Sequence, residues 1–435
     1  MLTRLSMTAL LLLAGSLVDA SPIAISSSAP TPAGVSAEAT LAARGLVKEV
    51  VDNAEEKLVE LAARKVSCNR RAVKRSVVNI PLVKADEKYG AYLSIGTPAQ
   101  LVPAIADTGS ADLLVSNAFY SKTKSLTDVS NGTETSFSFL GADYEGEVVT
   151  DSVTIGGDGV SKQTFAVVEK ASKTPSLLYW GLGPASAAKA SLPSSFALRP
   201  RIDSSLLQLT GASTFFQNLV QSGKIAANKF SLYLNRDGNG AELTLGGVNP
   251  DKYTGLVTKV PVVNPTFSVL KYWALALNTY AVGDEVFQQP TTAIIDSGSD
   301  LTYIPKEAAA FIFQNIPGAE LDPTPYGPYS FRGQEINADL YHYPCNTTVK
   351  PSYVFGNSRR KLTVDPQDYY YEDHSELAGY CYARILGVDI NVGGQQMALI
   401  GTDFLKSWYT TFDFDADESY MASGKPSISF ATAKY

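Results

Sequence analysis

From Ser76 to the C-terminus, apolar and polar positions alternate in short runs that are broken by Gly, Asn, Asp and Pro. "AYLSIGTPAQLVPAIADTG", "TSFSFLGADYEGEVVTDSVTIGG" and "NKFSLYLNRDGNGAELTLGG" all have a period near two, which sends successive side chains to opposite faces of a strand. Within the third run, "NRDGNG" is a hairpin signal, because its glycines and Asp supply the turn conformations that short β-connections need. Only "STFFQNLVQSGKI" and "KEAAAFIFQNIPG" show the three-and-four spacing of a helix. A mainly β protein is expected.

The pattern before Ser76 is different. Arg4, the apolar run "ALLLLAGSLV" and "VDA" ending at Ala20 form a secretory leader, with 1–20 as the signal peptide. That run is short of the ~20 residues a membrane span needs. A Ser-, Pro- and Ala-rich stretch then leads into "GLVKEVVDNAEEKLVELAARKV", where Val47, Val50, Val51, Ala54, Leu58, Leu61 and Ala62 make an amphipathic stripe. The dibasic pairs Arg70-Arg71 and Lys74-Arg75 read as processing sites, so 21–75 is expected to be a propeptide. The remainder divides into lobes at 76–262 and 263–435. No apolar tail follows "SISFATAKY", so a secreted, extracellular product without a stable membrane anchor is expected.

At 435 residues and 45% hydrophobic the chain can fill two cores, and only 18% of it is charged. Ten Lys and Arg against seven Asp and Glu precede Ser76, so the net balance of −7 for the whole chain becomes −10 for the rest. That acidity argues against a nucleic-acid partner. Three cysteines are an odd count for an oxidising compartment; removal of Cys68 with the propeptide leaves Cys345 and Cys381 as one pair. Asn131-Gly-Thr133 and Asn346-Thr-Thr348 are candidate glycosylation sites on the same route.

One phrase occurs twice: "AIADTGSADLLV" from Ala104 and "AIIDSGSDLTYIP" from Ala293. If two lobes present Asp107 and Asp296 to each other, like charge disfavours double ionisation and the pair shares one proton. One carboxyl is then a base and the other an acid, enough to activate water against a peptide carbonyl and protonate the departing nitrogen. Gly109 and Gly298 allow tight turns, Thr108 and Ser297 offer hydroxyls across the interface, and Ser110 and Ser299 are placed to bond the outer carboxylate oxygens. Other chemistries fare poorly. His342 and His374 lack nucleophile or His-Glu-x-x-His context, so neither a Ser–His triad nor a zinc site is expected.

Together with "YGAYLSIGTPAQ", "GLGP", "FSLYLN", "AELTLGGVNPDKYTG" and "LIGTDFLKSWYTTFDFD", these phrases resemble the pepsin-like aspartic endopeptidases across the whole of the mature part. "DTGSADL" with "DSGSDLTY" is most similar to the fungal candidapepsin and yapsin-like branch. The resemblance implies a bilobal fold with two pseudo-symmetric β-barrel-like lobes, a Cys345–Cys381 disulfide, and acid-dependent cleavage of peptides or proteins. It further implies inhibition by pepstatin-type compounds and by the chain's own propeptide, and no metal or cofactor. The family usually has Trp where Leu114 stands, and a flap Tyr absent from its expected place in "FSFLGADYEGEVVTD". Leu140, Gly141, Asp143 and Tyr144 are the flap candidates here, on a shortened hairpin. Asp143 and Asp300 add negative charge that would favour basic substrates. The alternative reading is a catalytically weak or inactive protein that keeps the cleft and binds peptides.

Overall fold

The computed structural model describes residues 76–435, except 86, 131, 140–141, 172–176, 185–212, 264–271, 332–333, 374–375, 393 and 416–424. With Ala171 and Leu177 set apart, the described residues belong to one compact unit, and everything below lies inside it. The expected signal peptide, propeptide and Cys68, together with Asn131, Leu140, Gly141 and His374, lie outside the described residues.

Two eight-stranded sheets share a plan. In the first half the strand Gln100–Asp107 lies between Lys88–Ile95, antiparallel, and Leu178–Gly181, parallel. In the second half Glu285–Ile295 lies between Ala274–Val282, antiparallel, and Gln395–Ile400, parallel. Both central strands become wholly buried toward their C-terminal ends, as the unbroken apolar runs before each Asp require of a strand covered on two faces. The repeated phrase is therefore a repeated piece of architecture.

A six-stranded sheet joins the halves, in the order Val78–Pro81, Glu242–Leu245, Lys229–Tyr233, Trp408–Asp413, Ser427–Ala433 and Tyr253–Pro261. Its last two partners in sequence return from the far end of the chain. Beneath it Phe230 stacks on Phe412 at 4.9 Å and Trp273 meets Phe414 at 4.5 Å, while the Trp273 indole N–H donates to the Leu182 carbonyl at 3.1 Å. That hydrogen bond ties the aromatic core to the loop behind Asp107.

The expected hairpin at 235–240 forms between Lys229–Tyr233 and Glu242–Leu245. Both expected helices form, Phe215–Gln221 and Lys306–Gln314. The first opens on a capping box in which Thr214 and Gln217 satisfy each other's backbone N–H groups. A third short helix, Thr402–Ser407, follows Gly401. Among the described residues the sheets run as open paths and none closes on itself, as the barrel-like lobes of the bilobal fold allow. Strand twist curves them around their cores without joining the edges.

Candidate active site

Asp107 ends its strand and Asp296 follows its own, and each is carried out of a buried sheet by the neighbour on its parallel side. Leu182 N–H donates to the Asp107 carbonyl at 2.7 Å, and Asp296 N–H to the Ile400 carbonyl at 2.9 Å. Gly181 and Gly401 sit where the chain crosses behind each turn. A Cβ on Gly181 would stand 2.3 Å from the Ala111 carbonyl carbon, and one on Gly401 2.5 Å from the Leu301 oxygen. Only glycine fits at either crossing.

The two turns interlock through their hydroxyls. Thr108 Oγ1 donates to the Ile295 carbonyl at 2.8 Å and accepts the Ser297 N–H at 2.9 Å. Ser297 Oγ donates to the Ala106 carbonyl at 2.6 Å and accepts the Thr108 N–H at 3.0 Å. All four bonds are buried, so each is strengthened by its surroundings and expensive to lose. Gly109 and Gly298 bring the carboxyls together in a crossed fashion. A Cβ on Gly109 would lie 2.5 Å from Asp296 Oδ1, and one on Gly298 2.4 Å from Asp107 Oδ1. Each glycine also donates its N–H to its own Asp, both at 2.8 Å.

Burial, first, and then the charge of Asp107 and a hydrogen bond between the two carboxyls hold Asp296 well above the usual carboxyl range. The Gly298 N–H and the Lys88 ammonium pull it back only partly. Asp107 accepts from Ser110 Oγ at 2.5 Å. Ser299 does not mirror this: its hydroxyl donates to the Leu301 carbonyl at 2.8 Å, so the expected symmetric bond to Asp296 is replaced by one that closes the local turn. The pair is thus asymmetric in its donors.

The flap hairpin forms between Thr133–Phe139 and Ala142–Ile155, with Phe139 opposite Ala142 and Phe137 opposite Tyr144. Asp143 pairs with Ser138 in that register. Tyr144 is buried, and its hydroxyl is pushed up by burial and by Tyr179, whose ring follows Leu178 on the strand beside Asp107. Leu114 lies buried on Leu114–Ser116, parallel to Asp158–Ala171. Asp300 is 3.8 Å from the Arg384 guanidinium, which also donates to the Asp300 backbone carbonyl at 3.2 Å. Its charge is therefore already answered, which removes the basis for expecting basic substrates from Asp300.

Away from the dyad, Cys345 and Cys381 are disulfide-bonded with Cα atoms 5.1 Å apart, and Asn346 is exposed in the turn beside the bridge. His342 is buried in the four-stranded sheet, 3.6 Å from Asp322, on strands that carry neither Asp107 nor Asp296. Sequence reasoning missed Lys88, whose ammonium lies in the field of Asp296. Counting back through the "GTPAQ" turn from Asp107 would have found it, since that hairpin sets Gly90 opposite Ile105.

The family model described as eukaryotic aspartyl protease matches residues 88–424, a span that includes both Asp turns, the flap hairpin and the disulfide. The chain belongs to the eukaryotic aspartyl protease family. Vacuolar protease A of Aspergillus fumigatus is 27% identical over 360 residues, 78% of this chain and 79% of that protein. Major aspartyl peptidase 1 of Cryptococcus neoformans var. grubii is 26% identical over 384 residues, 82% of this chain and 72% of that protein. Cathepsin D of Dictyostelium discoideum is 26% identical over 388 residues, covering 84% and 88%. The pepsin-like resemblance holds, and the bilobal fold and aspartic-type endopeptidase class come with membership. None of these three names points to the candidapepsin or yapsin-like branch. Peptide substrates and pepstatin-type inhibition follow from the aspartyl protease class. Among the described residues no helix is long and apolar enough to cross a membrane.

Proposed function

We propose that this protein is an acid-acting endopeptidase made as a zymogen, with Asp107 and Asp296 as its catalytic pair. The observation that carries the reading is the interlock of the two Asp turns, which sets two buried carboxyls against each other, with Asp296 held well above the usual carboxyl range by burial and by Asp107. Asp296, held high by burial and by Asp107, keeps a proton in the acid range.

Asp107 takes a proton from a water molecule as the water oxygen attacks the peptide carbonyl carbon, and Asp296 gives its proton to the carbonyl oxygen. The resulting gem-diol collapses when Asp107 passes its proton to the nitrogen and the C–N bond breaks. The second hydroxyl proton returns to Asp296, restoring the starting state. Thr108, Ser297 and the two glycines hold the carboxyls in register, so little reorganisation is needed during reaction.

The leader at 1–20 and the dibasic sites before Ser76 support entry into the secretory pathway and release of residues 21–75, with lobes at 76–262 and 263–435. Delivery to the exterior is the destination we propose. Two relatives named vacuolar protease A make the vacuole the competing one, and cell fractionation separates them. The activity is tested by cleavage of a mixed peptide library by the full-length, acid-treated protein, beside Asp107→Asn and Asp296→Asn. Cleavage that vanishes with either substitution supports the pair; equal cleavage by all three proteins refutes it.

A further inference from the structure

The two halves can be compared position by position. In the first, Gly90 pairs with Ile105 and Ile105 with Tyr179. In the second, Ala274 pairs with Ile294 and Ile294 with Leu399. Paired residues project from one face and side chains alternate along a strand, so Lys88, Ile105, Asp107 and Tyr179 share a face of the first sheet. Tyr272, two residues before Ala274, is the counterpart of Lys88.

The counterparts differ in chemistry. Tyr272 packs with Ala274, Ile294, Val392, Met397 and Leu399, an apolar surface whose burial pushes the Tyr272 hydroxyl up to about 12. Lys88 is half-buried, and its ammonium reaches over Gly90, which contributes no side chain, to the Tyr179 hydroxyl at 3.4 Å. That is its one direct polar contact among the described residues, and the ammonium also lies 5.7 Å from the Tyr179 ring centre.

The surrounding anions have other partners. Asp296 holds the shared proton, Asp107 is bonded by Gly109 and Ser110, and Asp300 faces Arg384. Glu87 is bound by Lys406, by Lys84 at 3.0 Å and by Arg384 at 3.9 Å, and its carbonyl accepts from Thr402 Oγ1 at 3.0 Å. The chain just before Lys88 is therefore anchored to the second half. Burial opposes the Lys88 charge, but its polar surroundings outweigh it and push its pKa up to about 12, so the ammonium is charged throughout the acid and neutral range. Tyr144, from the flap, completes the surroundings through Tyr179.

We propose that Lys88 and the Tyr179 hydroxyl form a carboxylate-binding spot beside the dyad, selecting peptides that lay a Glu or Asp side chain over the first half and an apolar side chain over the second. This deepens the endopeptidase reading and rests on it. A charge-assisted hydrogen bond to a fixed ammonium is stronger than a neutral one, so the preference depends on whether the substrate carboxyl is ionised.

The test uses full-length, acid-treated protein and matched peptides with Glu, Gln, Leu or Lys at each position from three before to three after the cut. Rates are read at about pH 3 and about pH 5.5, on either side of the ordinary Glu value near 4.3. Because the dyad's own titration is common to all peptides, it cancels in the Glu-to-Gln ratio of kcat/KM. At one position that ratio rises about tenfold between the two pH values, the size expected of a charge-assisted bond. Lys88→Met cuts the rise to less than about twofold, Lys88→Arg keeps most of it, and Lys162→Met on the exposed part of the Asp158–Ala171 strand leaves it unchanged. A ratio that ignores pH at every position in the unmodified protein overturns the proposal without any variant, and so does a rise that persists in Lys88→Met. Cleavage of all peptides without Glu preference defeats only the carboxylate spot, whereas cleavage of none removes the endopeptidase reading and the spot with it.

Discussion

Replacing Thr108 with Val keeps the shape of a fully buried side chain while deleting its hydroxyl. Two backbone groups then lose their partner: the Ile295 carbonyl, bonded at 2.8 Å, and the Ser297 N–H, bonded at 2.9 Å. A buried polar group left unsatisfied costs about 1–3 kcal/mol, so the pair costs about 2–6 kcal/mol. Against a total stability of about 5–15 kcal/mol that is a large fraction. The loss also frees the two Asp turns to separate, and kcat should fall by at least about tenfold. Thr108→Ser keeps both bonds and loses one buried methyl, costing about 1 kcal/mol. Urea unfolding of the full-length protein near pH 5, with kcat on one peptide, measures both quantities. A Thr108→Val protein within about 0.5 kcal/mol of the Thr108→Ser protein would refute the interlocking hydroxyls as a structural element.

Three further outcomes follow from the same geometry. Gly298→Ala drives a methyl into the space of Asp107 Oδ1, 2.4 Å away, so activity should drop by about a hundredfold or more while overpacking lowers stability by about 1–3 kcal/mol, both measured on one preparation. Burial raises Asp403 from 3.8 to about 7, so the folded state binds the extra proton between those values. Stability is then full below about pH 4 and declines by about 4 kcal/mol as pH rises through 7. Asp403→Asn, which still accepts from Thr302, should flatten that decline in a series of unfolding curves. Reducing Cys345–Cys381, 36 residues apart, should lower stability by about 3–4 kcal/mol, read as a drop in Tm with reductant.

Much of the site was legible because its information is local. The Asp–hydroxyl–Gly turns, the apolar runs that bury the strands before them and the helix at Phe215–Gln221 are each written within about a dozen consecutive residues. What stayed hidden depends on partners far away in sequence. Ser110 and Ser299 occupy the same place in the repeated phrase, yet one bonds Asp107 and the other the Leu301 carbonyl, because the path of the chain after each turn differs. The Trp273 link to Leu182 spans 91 residues and the Glu87–Lys406 pair 319. Nothing local in the sequence marks Lys88, and only the register of three strands puts it on the Asp107 face. Whether a sheet closes was hidden for a similar reason, since alternation along a strand says only which face is buried.

The central claim is that two carboxyls share one proton in the working enzyme. It is tested most directly by the pH dependence of kcat/KM for an uncharged peptide, which reports the free enzyme's acid and base. A bell is expected, with its upper limb displaced above the ordinary carboxyl range because burial and Asp107 hold the proton on Asp296. A profile that keeps rising toward neutral pH, or stays flat through the acid range, would contradict it.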